Sequence, residues 1–463
     1  MGAARRTSSS IREPPGDRSE APSVAALVAG LRAGALDPVE VLHEHLRRLA
    51  GSEINAFLWA EPHPLLAAAR AADLAGRPLG GLPIALKDNI DTAGIPTTSG
   101  SPVDRDRVPS SDATVWRRLR DTGGAVLLGK THMSEYAYRS HNPTLGWVRN
   151  PRNPDRATGG SSSGSAAAVA AGIAPVAIGT DTGGSVRIPA AYCGVVGLKG
   201  TFGLIENDGV VPLSRRMDHV GVLARSVTDA AIVFEQMTPR PLGLTEPGTL
   251  EVRPAEPGRL RVGIERGYFS AGAQPAVART LSTAVARLAA AGCRIIDISL
   301  PRASRWRAAH KRVLVRDTWD DHADRIRAGA PYGPVFRSAI SAGAEISERE
   351  LAAALGARRE AAETLAATFE TVDVLVTPTC PTVAPAIEEG RRTTAYTRYT
   401  TLAAFIGLPA ISIPGGTGYL GLPIGVQLMS AWNGERTLVA AAALLERLLA
   451  SDPPRGSSRA AQS

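Results

Sequence analysis

The chain of 463 residues, 44% hydrophobic and 21% charged, is long enough to bury a large core, and its length allows one large or two to three ordinary domains. Its longest apolar window, residues 166–178, falls short of the roughly 18 residues that a bilayer span needs, which excludes a membrane helix. The formal net charge of +8 comes from arginines scattered among acids, with no basic run interleaved with aromatics, and this argues against nucleic-acid binding.

Residues 1–21 contain Arg5, Arg6, Arg12 and Arg18 but no apolar core of a secretory signal, so they read as a disordered tail and the cytoplasm is the expected location. Residues 24–49 carry apolar positions at helical spacing, broken where Asp37 can cap a second helix that begins at Pro38. Short apolar runs at 82–86 and 125–128 read as buried strands, with a helix over 113–122 between them. Small residues over 165–171 predict a tightly packed helix, followed by a strand at 175–179. Strands alternating with helices imply an α/β sheet. Residues 239–258, rich in Pro, Gly and Glu, read as a linker between two parts of the fold. Beyond it, strands are predicted at 260–264, 294–298, 372–376 and 410–413, and helices at 276–291, 347–370 and 435–449. Residues 451–463 form a polar tail, and no fixed-period repeat is present.

Lysine is scarce: Lys87, Lys130, Lys199 and Lys311 are the only four. Lys130 closes Gly124-Ala125-Val126-Leu127-Leu128-Gly129-Lys130-Thr131, which satisfies the letter of the phosphate-binding pattern G-x-x-x-x-G-K-[ST]. The four middle residues are strand-like, however, and a sheet would consume the N–H groups that a phosphate requires. Lys130 is therefore read as a structural cation. Cys193, Cys293 and Cys380 lie far apart without metal-ligand spacing, so neither a disulfide framework nor a zinc site is indicated and they are read as packed thiols.

Two glycine/serine-rich turns stand out, Gly159-Gly160-Ser161-Ser162-Ser163-Gly164-Ser165 and Gly179-Thr180-Asp181-Thr182-Gly183-Gly184-Ser185. Both crowd hydroxyls and backbone N–H groups where side chains are too small to pack a core. A serine nucleophile needs a base, directly or through a relay. None of the eight histidines sits in a nucleophile-elbow pattern, and His132 and His219 read as structural. Lysine is the alternative base, because burial favours its neutral form. Lys87 ends an apolar strand, where such burial can occur. Spacing alone leaves Lys87, Ser161 and Ser185 open between catalytic and structural roles.

Taken together, Gly81-Leu82-Pro83-Ile84-Ala85-Leu86-Lys87-Asp88-Asn89, the two turns, Gly194-Val195-Val196-Gly197-Leu198-Lys199, Gly407-Leu408-Pro409-Ala410 and Gly421-Leu422-Pro423-Ile424-Gly425-Val426-Gln427-Leu428 resemble the amidase signature family. The resemblance implies one compact α/β/α domain over residues 22–450, built around a large mixed, twisted sheet. It implies an amidase that cleaves a carboxylic amide with a Ser-cisSer-Lys triad and no metal or cofactor. Position by position, Ser185 becomes the nucleophile, Ser161 the relay after a cis peptide bond, and Lys87 the base. Backbone N–H groups of Thr182, Gly183, Gly184 and Ser185 become the oxyanion hole. Asp181, Arg187 and Lys199 are read as braces.

Three departures from the family pattern stand out: Ser163 replaces a usual glycine, Lys199-Gly200-Thr201 replaces lysine-proline-threonine, and residues 398–405 lack the usual proline and asparagine. The favoured reading is a hydrolase of small-molecule amides. One alternative is the glutaminase (A-type) subunit of a tRNA-dependent amidotransferase, the one reading that would bring in nucleic acid. Residues 338–351 do not resemble the glutamine-recognition stretch of those subunits. An acyl transferase with the same triad and a nucleotide-dependent ligase using residues 124–131 are the others. The sequence leaves a homodimer open and does not name the substrate.

Overall fold

Eleven apolar runs pair into one sheet in the computed structural model, which describes residues 21–451 apart from 140–141, 247 and 393–394. The tails expected at 1–21 and 451–463 lie outside the described residues, Ala21 and Ser451 excepted. The strands are β1 Phe57–Trp59, β2 Pro83–Lys87, β3 Val126–Thr131, β4 Val176–Asp181, β5 Val196–Lys199, β6 His219–Ala224, β7 Arg261–Glu265, β8 Arg294–Ile298, β9 Val374–Pro378, β10 Ala410–Thr417 and β11 Pro423–Ser430. Their order is β1-β3-β2-β4-β6-β5-β10-β11-β9-β7-β8. Parallel pairs lie toward both ends, β2 with β3 and β4, and β7 with β8 and β9. Antiparallel pairs fill the middle, so the sheet is mixed as expected.

Strands β2, β3, β4, β6 and β11 are buried at every residue. A sheet buried on both faces needs helical layers on both. Helices Ser163–Ala170 and Arg187–Cys193 pack on one another and on the sheet, and so do Val227–Met237 and Glu435–Ala450. Asp37 caps the second helix as expected, its Oδ1 accepting from Val39 N at 2.8 Å and Glu40 N at 3.0 Å. The helix expected at 113–122 is α-helical only over Thr114–Arg117 and widens into a π turn over Arg118–Thr122. The linker-like run 239–258 does not divide the sheet, because β7, which follows it, pairs with β9 in the same eleven strands.

Lys130 lies in β3, whose backbone pairs with β1 and β2, so the segment has no phosphate-cradling loop. Its Nζ donates to Ile90 O at 2.7 Å and Thr97 Oγ1 at 2.5 Å, and stands 3.7 Å from Asp88. Cys193, Cys293 and Cys380 are buried free thiols. No helix among the described residues is long and apolar enough to cross a membrane.

Parallel pairing of β2 with β4 sets Leu86 opposite Ile178, so both strands end at the same edge and deliver Lys87 and Thr180 side by side. The helix Ser163–Ala170 starts against that edge through close backbone packing at Gly164. A Cβ there would meet the His132 nitrogen at 2.5 Å and crowd the Ala56 carbonyl. Gly164→Ala is therefore expected to cost about 1–3 kcal/mol, seen as a lower urea midpoint at unchanged slope. An unchanged midpoint would contradict this packing.

Candidate active site

Lys87, at the end of β2, is fully buried. Its Nζ reaches Ser161 Oγ at 2.7 Å, Thr180 Oγ1 at 2.7 Å and Thr180 O at 3.5 Å. Asn89 Nδ2 also donates to Thr180 Oγ1, at 3.3 Å. No carboxylate among the described residues lies within ion-pair distance of Nζ. Burial pulls the Lys87 ammonium down to about 7, against the opposing pull of the Asp218 and Asp181 charges. An amine at that value is half neutral near neutral pH, so it can take up or return a proton.

The Gly160–Ser161 peptide bond is cis. Ser161 and Ser162 are buried, and the Ser162 N–H donates to Ser185 O at 3.2 Å, which brings the two glycine/serine turns together. Ser162 Oγ donates to Thr180 O at 3.2 Å, fastening the first turn to β4. Ser185 is half-buried and lines a cavity of about 350 Å³ together with Gly160, Thr182 and Gly183. Gly184 has φ +128°, and a Cβ there would collide with the Thr400 side chain and with Ile188 Cδ1, so the turn requires glycine. The Gly184 N–H already donates to Asp181 Oδ1 at 2.8 Å, while no acceptor among the described residues meets the N–H groups of Thr182, Gly183 and Ser185. Three of the four expected oxyanion donors are thus unoccupied, and Gly184 instead holds the shape of the turn.

Asp181 organises this turn. Its carboxylate accepts from Gly184 N, from Val186 N at 3.1 Å, and from Arg187 Nε and Nη2 at 3.0 and 2.8 Å. Burial opposes its charge, yet the Arg187 guanidinium and its hydrogen bonds hold the carboxyl well below the usual range. Arg187 in turn donates to Gln427 Oε1 at 2.5 Å, tying the turn to β11. Lys199 is buried, and its Nζ donates to the carbonyls of Leu408 and Gly200. The contacts of Asp181 and Arg187 match the brace expected of them, whereas Lys199 bonds carbonyls that lie outside the turn.

Four residues at the site escape the sequence reading. Thr180 shares the Lys87 ammonium with Ser161. Asp218 accepts from Thr182 Oγ1 at 2.6 Å and from two backbone N–H groups, and burial pushes its carboxyl up to about 6. The His310 ring meets Thr182 O at 2.9 Å, and burial pulls it down to about 4, so it is neutral at physiological pH. Thr400 Oγ1 donates to Gly183 O at 2.6 Å. His132 and His219 line no part of the cavity and bond backbone carbonyls, as expected of structural histidines.

The family model described as Amidase matches residues 40–439. This chain belongs to the amidase family. Among its relatives, the A-type subunit of the Glutamyl-tRNA(Gln) amidotransferase of Koribacter versatilis (strain Ellin345) is 35% identical over 444 residues, covering 86% of this chain and 92% of that protein. A crystal structure of an amidase superposes with a TM-score of 0.82 at 29% identity, covering 92% of this chain and 99% of that one. The structure of 6-aminohexanoate cyclic dimer hydrolase complexed with substrate gives a TM-score of 0.80 at 29% identity, covering 92% and 97%.

Removing one partner of a buried ion pair leaves an uncompensated charge. Arg187→Met is expected to destabilise the protein by about 3–5 kcal/mol, measured by chemical denaturation. A loss below about 1 kcal/mol would show that Asp181 is held by its backbone donors alone.

Proposed function

We propose that the chain is a serine amidohydrolase in which Ser185 attacks a carboxylic amide while Lys87 acts as base through Ser161. The observation that carries this reading is the 2.7 Å contact of a fully buried Lys87 Nζ with Ser161 Oγ, beside a turn that presents Ser185 to a cavity. In the neutral amine the Nζ lone pair accepts the Ser161 proton, and Ser161 Oγ accepts the proton of Ser185. The Ser185 Oγ then bonds to the carbonyl carbon. The oxygen of that carbonyl gains negative charge, which the N–H groups of Thr182, Gly183 and Ser185 are free to receive. The proton held on Lys87 returns through Ser161 to the amide nitrogen, the C–N bond breaks, and ammonia or an amine leaves. The ester on Ser185 is cleared when water gives a proton to the same relay and adds its oxygen to the acyl carbon; the bond from that carbon to Ser185 Oγ then breaks, the relay returns its proton to Ser185 Oγ, and the carboxylic acid leaves. No metal-binding cluster of His, Cys, Asp or Glu occurs among the described residues, and no step requires one.

A second reading rests on one observation: the curated relatives include A-type subunits of Glutamyl-tRNA(Gln) amidotransferase at 34–36% identity. It requires glutaminase activity that rises when partner subunits and tRNA are added. The hydrolase reading is supported by the likeness to an amidase and to a cyclic dimer hydrolase, and it expects turnover of simple amides by the chain alone. An acyl transferase would differ only in the final step, with an amine in place of water.

Ser185→Ala is expected to lower kcat by about 10⁴-fold or more and to abolish labelling by a fluorophosphonate, read by intact-protein mass. Full turnover or retained labelling would remove Ser185 as nucleophile. Because Lys87 must be neutral to act, kcat/KM should rise with pH by about tenfold per unit below pH ~7 and level off above it. A rate that continued to rise to pH 10 would mean an ordinary, unperturbed lysine.

A further inference from the structure

The cavity beside Ser185 is lined by both cationic and apolar side chains. Helix Ala303–Arg327 presents Arg307, Lys311 and Leu314 to it, four and three residues apart, which is one helical face. Arg139 enters from a separate loop, and its Nε is buried with no hydrogen-bond acceptor among the described residues. Three formal cations therefore line a space of about 350 Å³ into which no Asp or Glu among the described residues projects. His310 adds no charge, since burial keeps it neutral. The lining also includes Ile188 and Leu213, which with Leu314 suit a short hydrocarbon rather than a second polar group.

Resting on the amidohydrolase reading, we infer that the substrate is an amide whose acyl part ends in a carboxylate, a monoamide of a short dicarboxylic acid, with Arg139, Arg307 and Lys311 selecting the distal anion. A guanidinium with an unmet buried N–H gains a charge-assisted bond when a carboxylate arrives. A neutral amide of the same length leaves that group unmet, so discrimination follows from what the neutral ligand lacks. The same lining disfavours glutamine, whose ammonium would enter among cations with no carboxylate to receive it. A dicarboxylic monoamide that lacks an α-ammonium group is thereby separated from glutamine at one and the same serine. Hydrolysis balances as monoamide plus water giving dicarboxylate and ammonium.

The test compares glutaramate, valeramide and glutamine as substrates of the full chain, in the wild type and in Arg307→Gln/Lys311→Gln. Arg139→Gln provides a second variant on a different element. The expected result is a kcat/KM for glutaramate at least about tenfold above valeramide, with glutamine below glutaramate and the glutaramate-to-valeramide ratio falling toward one in both variants. A wild-type ratio at or below one, or a ratio that neither variant lowers, would overturn the inference while leaving the hydrolase reading intact. Calorimetric binding of glutarate is the catalysis-independent arm. If none of the amides turns over, glutarate binding that weakens about tenfold or more in the variants supports the anion site and counts against the hydrolase reading alone. Absence of glutarate binding would overturn the anion site itself.

Discussion

A lysine ammonium buried without a carboxylate in contact is the constraint around which this site is built. Water would solvate such a group well, and the interior replaces that solvation with two hydroxyls and a carbonyl, from Ser161 and Thr180. The shortfall favours the neutral amine and places Lys87 near the middle of its titration at neutral pH. Direct ion pairing would undo this, as a carboxylate in contact would hold the proton in place. The two acids whose charges act on Lys87 are instead occupied. Asp181 is neutralised by Arg187, and Asp218 is engaged by Thr182 Oγ1 and two backbone amides.

The same constraint accounts for the sheet geometry at the site. Adjacent parallel strands that end together bring the lysine at the end of β2 against Thr180 near the end of β4. The crevice beyond the carboxyl ends of such strands is the natural place for a ligand. The antiparallel middle of the sheet serves another purpose, carrying Gln427 on β11 to the Arg187 guanidinium and so anchoring the turn that holds Ser185. Positioning of the turn is distributed across segments more than 200 residues apart, while the proposed proton path needs only three side chains.

Much of this was legible in the sequence, and what was not has identifiable causes. Lys87, Ser161 and Ser185 lie in glycine-bearing motifs whose joint order points to the amidase family. Asp37-Pro38, the strand at 294–298 and the long C-terminal helices follow from local capping and period. Strands β5, β6 and β11 were not predicted as strands because Gly197, Gly221 and Gly425 interrupt them. Each glycine sits where a Cβ would strike a neighbouring chain segment, so close packing removed the side chains that signal a strand. Helix Ala303–Arg327 was hidden because its buried stripe includes His310 and Asp317 among the apolar residues and its other faces are strongly charged. Losing that helix meant losing His310 and the cavity wall. Asp218, His310 and Thr400 come from separate segments and meet only in the fold, so no spacing could have marked them, and Thr180, although inside the second turn, shows its role only through its contact with Lys87.

The central claim is that Lys87 is a neutral base at working pH. The chain has only four lysines, so selective ¹³Cε lysine labelling gives four resonances. Their pH titration by NMR, with Lys87→Met to assign the relevant signal, measures the claim directly. The account predicts that the Lys87 resonance titrates with a midpoint of about 7. A midpoint near the ordinary lysine value of about 10.4 would contradict it.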